Sequence, residues 1–322
     1  MGFTITGGVS ISGGVSLVPG GGSTPGGGSP FQGSNFGYTS GGYLPNDTLT
    51  NVIDKFPFAS DANASDVGDL TQIIYSLTGQ SSTDNGYASG GSAWPAKNTI
   101  NKFSFASDGN ATDVGDLTVA RFGPAGQSSS ASGYSSGGGN PNKVDTIDKF
   151  PFVSDGNATD VGDLTIARVY ASGHSSSQSG YTSSGQGTPG VPTYVPSWFT
   201  IDKFPFASDA NATDVGDLTV ETFGRMGQNS SDNGYTSGGG FVTDIDKFPF
   251  ASDGNATDVG DLTIARRYGA GQSSTASGYS SGGAGPALNF NTIDKFPFTS
   301  DGNATDVGDL TQARHGVAGQ QY

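Results

Sequence analysis

The chain contains no cysteine, which excludes disulfides and thiolate metal sites. It has only two histidines, His174 and His315, and no metal-ligand or nucleophile-elbow spacing surrounds either. Basic residues are scarce: 14 Lys and Arg stand against 29 Asp and Glu, a formal net charge of −15. Nucleic acid is therefore not an expected partner, because binding its phosphates needs Lys and Arg. No apolar run reaches the 18 residues of a membrane-spanning helix, so no membrane insertion is expected. The N-terminus lacks the basic region and apolar helix of a signal peptide. Hydrophobic residues make up only 33% of the 322 positions, too few for a large continuous core. No stretch sustains a 3.6-residue apolar period, so helices are not expected.

What the chain does have is a sixfold repeat. Lys55, Lys102, Lys149, Lys203, Lys247 and Lys295 each sit in a near-copy of Ile-Asp-Lys-Phe-Pro-Phe-Ala-Ser-Asp-Gly-Asn-Ala-Thr-Asp-Val-Gly-Asp-Leu-Thr. The spacings between them are 47, 47, 54, 44 and 48 residues, a period that points to propeller blades. From each Lys to the Gln or His closing the block, as from Lys102 to Gln127 or Lys149 to His174, is always 25 residues. All length variation falls between the next Tyr and the next Lys, so one surface loop per repeat varies while the scaffold does not.

Each repeat has room for four short strands, about 24 in all. Gly-Tyr-x-Ser-Gly-Gly, as at 133–138, reads as one, and Thr-Ile-Asp-Lys-Phe-x-Phe, as at 146–152, as the next. Asp155 to Asn157 reads as a turn, since Gly and Asn tolerate positive φ. Asp-Val-Gly-Asp-Leu and the small-residue segment Gly-x-Ala-Gly-Gln-Ser-Ser supply the other two strands. Pro57 and its equivalents sit awkwardly in a strand expected to pair on both sides. The first unit starts at Gly37-Tyr38 without the Gly-Gln-Ser-Ser strand, and the C-terminal Ala318-Gly-Gln-Gln-Tyr322 supplies it. The ends should join in one blade, giving a ring expected to leave no open edge.

The N-terminal segment reads differently. Phe3, Ile5, Val9, Ile11, Val15 and Leu17 alternate with Thr and Ser, a period-2 strand with one apolar face. A lone strand cannot bury that face, so these six residues are expected to mediate assembly. Residues 1–18 are thus read as an anchor strand, 19–33 as a Gly/Ser/Pro linker and 34–322 as the propeller. The whole is an all-β chain: a six-bladed β-propeller with a short N-terminal β-strand arm.

Candidate chemistry is thin. Asn-Ala-Thr/Ser recurs at Asn63, Asn110, Asn157, Asn211, Asn255 and Asn303, and its place in every turn favours turn chemistry over glycan attachment. Asp108-x-Asn110-x-Thr112 with Asp116 loosely echoes a calcium loop but lacks its central glycine and final glutamate. No cofactor or metal is expected. The repeated Lys, with the carboxylates of Asp-Val-Gly-Asp, reads as a structural ion-pair set, since an active-site group would not appear six times. No enzyme is expected. The variable loops carry the rarer residues: Tyr43, Trp94, Tyr194, Trp198, Phe199, Phe241 and Phe290 are the candidate ligand-binding residues. The competing reading has these rings capping the propeller's own edge.

Tyr followed by Ser-Gly-Gly, at Tyr38, Tyr87, Tyr134, Tyr235 and Tyr279, and Leu-x-x-x-Arg, as at Leu117 to Arg121 and Leu310 to Arg314, resemble kelch-type repeats. The resemblance covers residues 34–322 and departs where Ala111 fills the usual Trp slot and where Ile74 and Thr222 replace Arg. The His and Cys ligands of a kelch-type copper oxidase are missing. The full block also resembles repeats in virion structural proteins of tailed phages of marine bacteria. That resemblance implies a virion location on the particle surface, with other virion subunits bound through the arm and a homo-oligomer within the particle. The leading expectation is a fibre or appendage protein whose propeller binds a host-surface glycan or protein. The alternatives are a capsid or tail decoration protein with no ligand, and a cellular kelch-like interaction scaffold.

Overall fold

The computed structural model describes residues 32–187 and 199–322. Among these residues there is no helix, and the strands form six four-stranded antiparallel sheets arranged as a six-bladed β-propeller. Blade 1 combines Ala318–Gln321 with Phe36–Tyr43, Leu49–Pro57 and Ser65–Asp69. Blades 2 to 6 begin with the inner strands Thr78–Ser81, Ala125–Ser128, Ser172–Ser175, Met226–Asn229 and Ala270–Ser273, and each ends with an outer Asp-Val-Gly-Asp strand. A two-stranded ribbon, Arg168–Val169 with Gln186–Gly187, is added at blade 4. The ring closes as the sequence predicts: Tyr38 pairs with Gln320 in the register that joins Tyr87 to Gln80 in blade 2.

Small residues set the radius of the ring. The inner strands lie so close around the axis that a Cβ on Gly79, Gly126, Gly173, Gly227, Gly271 or Gly319 would fall 2.0–2.3 Å from the preceding blade's carbonyl. Further out, the core lies between blades. Tyr87, Ile100 and Leu117 of blade 2 pack on Phe150, Phe152 and Ala158 of blade 3, and the Tyr87 and Phe152 rings stack at 4.8 Å. Each buried Phe contributes about 1.5–3 kcal/mol. The Phe150 ring covers its cross-strand partner Gly133, where any side chain would collide with it.

Polar bonds tie each blade to the next in closed circuits. In five of the six junctions a fully buried Arg pairs with a fully buried Asp, as Arg121 does with Asp148 at 2.8 Å. The same Asp148 accepts from the amide and hydroxyl of Thr118. At blade 4–5 the Arg position holds Thr222, but Arg225 reaches the same carboxylate, Asp246, from three residues on. At blade 1–2 both charges are gone: Ile74 replaces Arg, and Asn101 replaces Asp and still accepts from Thr71.

The lysine circuit differs from the sequence reading in its partner. Lys55 bonds Asp108 of the next blade's Ser-Asp-Gly-Asn turn, not an Asp-Val-Gly-Asp carboxylate, and so on round to Lys295 with Asp61. Lys102 is paired with Thr112, so strand alternation puts Asp113 on the other face of the sheet and the register shift at Ile100/Asn101 puts Asp116 there too, which leaves the neighbouring turn as the partner. The proline difficulty also resolves. Pro57 pairs only with Phe36, because the outer strand stops at Lys55. The ring does leave open edges, one per blade, since the six sheets are separate. These outer strands have five residues, a bulge and two aspartates each, which blunts strand-to-strand association.

Candidate functional site

The variable loops and the blade-to-blade connections do share one face. Tyr75 of the connection into blade 2 bridges to Ser92 of that blade's variable loop, Phe122 to Gly139, Arg267 to Ala284 and His315 to Tyr43. The constant turns, with the lysine circuit, lie on the opposite face. The chain enters the described ring on that constant face: Gln32 Nε2 donates to the carbonyls of Asn229 and Ser274, and the Gly33 amide to Ser273.

The candidate residues divide. Trp94 is 75% exposed and Phe241 49%. Tyr43 is half-buried, and its hydroxyl donates to Asp47, a bond that raises its pKa above the ordinary tyrosine value. Phe290, half-buried, lies over Gly285 of its own loop and against the Arg266 guanidinium. Phe199 is half-buried at the start of the third strand of blade 4, its carbonyl accepting from Leu218. Tyr194, Trp198 and the arm residues Phe3 to Leu17 lie outside the described residues.

What joins Tyr43, Trp94 and Phe241 is a set of rings that the loop-based reading passes over. Trp94 lies 6.4 Å from Tyr75, Tyr75 5.5 Å from Tyr43, and Tyr43 5.3 Å from His315. His315 continues to Tyr268, and Tyr268 to Tyr170 at 4.9 Å, which in turn meets Phe122 and Phe223. Arg267 completes the belt, its guanidinium over the rings of Phe241, Tyr268 and Phe223 at 4.7, 5.0 and 5.7 Å. The contacts run as an arc about the axis, from Trp94 round to Phe122. The belt's missed members occupy the positions 20 and 21 residues after each Lys, where an otherwise repeated block reads Tyr-Ser, Phe-Gly, Val-Tyr, Phe-Gly, Arg-Tyr and His-Gly. That local departure from repetition was the available signal.

The second of these positions forms the axial mouth. Gly316, Ser76, Gly123, Tyr170, Gly224 and Tyr268 all have φ between 53° and 70°. Each amide donates to the carbonyl of its predecessor in the ring at 2.7–2.9 Å, closing a circle of six backbone hydrogen bonds. Beneath it lies an axial cavity of about 110 Å³, walled by these residues and the inner strands. A second circle guards the other end, where inner-strand amides donate to side-chain oxygens of the next blade, as Ser81 does to Ser128 Oγ.

Neither histidine presents an exposed base. His174 is fully buried in place of the repeat's Gln, bonded to Gln228 O and Ser183 Oγ, and burial pushes its pKa down to about 4. His315 bonds Asn289, and burial with the nearby Arg267 charge also lowers its pKa. Among the described residues no group of His, Asp or Glu converges to hold a metal ion. The calcium-like donors are committed elsewhere: Asp108 to Lys55, and Asn110 Oδ1 to the Asp69 amide. The other Asn-Ala-Thr/Ser side chains repeat that inter-blade bond, as expected of turn residues. In comparisons with known proteins, no family model matches this chain and no curated protein is significantly similar to it.

Proposed function

We propose that this protein is a binding disc without enzymatic activity, a virion appendage protein that displays its aromatic face to a host-surface glycan or protein. The observation that carries the reading is the coincidence of two things on one face. All loop-length variation falls there, and so does the connected belt from Trp94 through Tyr43 and Tyr268 to Phe241. Exposed aromatics on loops over a rigid ring suit recognition. The resemblance of the repeat to phage virion proteins supports the particle setting. The polarity of the ring fits it, because Gln32 and Gly33, where the described residues begin, dock on the constant face, opposite the aromatic one. The arm, in this reading, holds the disc among other virion subunits.

The test is attachment of recombinant protein to bacterial host cells. Aromatic stacking of bases is worth roughly 1–3 kcal/mol, a scale carried over to this surface, so Trp94→Ala should weaken attachment about five- to a hundred-fold. Val153, 94% exposed in a constant turn, serves as the control in Val153→Ser. Removing residues 1–31 should leave cell attachment intact. Equal attachment by Trp94→Ala and Val153→Ser would leave the ligand-free decoration role in possession of the field.

A further inference from the structure

Resting on that binding reading, we propose that the open sector of the axial mouth above Ser76, walled on one side by the touching rings of Tyr170 and Tyr268, is a subsite for one ring of a neutral saccharide. The first argument is conformational. All six mouth positions require φ near +60°, which bulky L-residues avoid, and three of the six are accordingly glycine. Tyr170 and Tyr268 hold that conformation against their own preference. Strain of this kind points to function, since packing alone would have been served by glycine, as it is in the neighbouring blades.

The second argument is the arrangement. Glycines alternate with the larger residues around the mouth: Gly316, Ser76, Gly123, Tyr170, Gly224, Tyr268. Each tyrosine ring lies over the glycine before it, where a Cβ on Gly123 or Gly224 would come within 2.7 Å of the ring. Ser76 takes the third alternate place with a side chain too short to do the same. The two rings touch at 4.9 Å, so one continuous aromatic wall and one open sector surround the top of the axial cavity.

The third argument selects the ligand. The six mouth amides are all committed to one another, so the mouth offers no nest for an anion and no strand edge for a peptide. Of the nearby charges, Arg267 is sandwiched among Phe223, Phe241 and Tyr268, and Arg225 in the cavity wall is paired with Asp246. What remains is a set of aromatic faces with phenol and serine hydroxyls at their margin. That combination suits a ligand with an apolar C–H face and neutral hydroxyls at its edge, which describes a pyranose ring.

The experiment measures binding of neutral glucose-, galactose- and mannose-terminated oligosaccharides, with sulfated oligosaccharides alongside, to the full chain and to Tyr170→Gly/Tyr268→Gly. The variant should bind its best neutral saccharide at least about tenfold more weakly, on the scale of lost aromatic stacking. Its Tm reports the balance between the positive-φ strain that glycine relieves and the ring contacts that each tyrosine loses, so binding is compared at a temperature where both proteins are folded. Ser76→Tyr, which fills the open sector, should weaken the same binding. If the folded Tyr→Gly variant and Ser76→Tyr both bind as wild type does, the tyrosines are structural and the subsite is refuted. If wild type attaches to cells in a Trp94-dependent way yet binds no neutral saccharide, the subsite falls while the binding-disc reading stands. If wild type attaches to no cell and binds no saccharide, both fall.

Discussion

The junction between blades 1 and 2 offers a sharp test of how the ring is held. Elsewhere a buried Arg neutralises a buried Asp at 2.8–3.1 Å, and both side chains are fully enclosed. Here Ile74 and Asn101 stand in their places, both fully buried, and the Asn101 Nδ2 has no partner. Asn101→Asp alone would put a carboxylate beside Ile74 with no cation to meet it. Leaving one member of a buried pair uncompensated costs about 3–5 kcal/mol. A chain of this length unfolds with an entropy of roughly 0.7 kcal/mol/K, so Tm should fall by roughly 4–7 °C at pH 7. Burial without a cation raises the carboxyl pKa in the folded state. The penalty therefore shrinks as pH falls through that raised value and is gone below the ordinary carboxylate value, where both states are protonated. Ile74→Arg alone should also destabilise, by placing an unpaired guanidinium in the same space. The double variant recreates the pair present at the other five junctions and should recover most of the loss. Calorimetry on all four proteins closes the cycle. A stable Asn101→Asp protein at pH 7, or a double variant no better than the worse single, would refute the claim that these two positions act as one unit.

Two further outcomes follow from other junctions. His174 has a pKa depressed to about 4 by burial, so the folded state resists its protonation. Its contribution is fully present above about pH 6.5 and is lost as pH falls towards 4, by up to a few kcal/mol. His174→Gln, which restores the repeat's residue, should therefore unfold at lower pH than wild type in acid titrations followed by circular dichroism; an unchanged midpoint would contradict the assignment. Deleting residues 315–322 removes the inner strand of blade 1 and its pairing with residues 37–40, and should abolish the single cooperative unfolding transition seen by calorimetry. Persistence of that transition would show that closure is dispensable.

The sequence made the blade count and the closing strand legible because both depend on backbone repetition. Lys spacing fixes the unit, and the missing Gly-Gln-Ser-Ser strand before Tyr38 reappears at Ala318. Partner choice was less visible. Lys55 reaches Asp108, 53 residues away, because strand alternation and the bulge turn the carboxylates of the Asp-Val-Gly-Asp strand aside, and a bulge has no separate sign in a repeated block. Thr222 read as a lost arginine, whereas a connection of different path lets Arg225 reach the same Asp246. The candidate face was half legible. Loop-length variation pointed to Trp94 and Phe241, but Tyr75, Tyr170, Phe223 and Tyr268 sit inside the constant-length block. Only the folded ring brings these positions to the axis, because the connections pass inward to the inner strands before turning.

The seam of the ring is made by the same residue pairs as the hairpins elsewhere: Tyr38 opposite Gln320 repeats Tyr87 opposite Gln80 and Tyr134 opposite Gln127. Most inter-blade contacts likewise join fixed positions of one blade to fixed positions of the next. A blade thus carries nearly the same two sides whatever its place in the circle. Blades 3, 5 and 6, which carry both the buried Asp and the buried Arg at the repeat positions, could change places without a new charge pairing, whereas moving blade 1 or blade 2 alone would strand a buried charge. The ring is then a cassette holder in which loop length and sequence differ from blade to blade while the frame that displays them stays nearly constant.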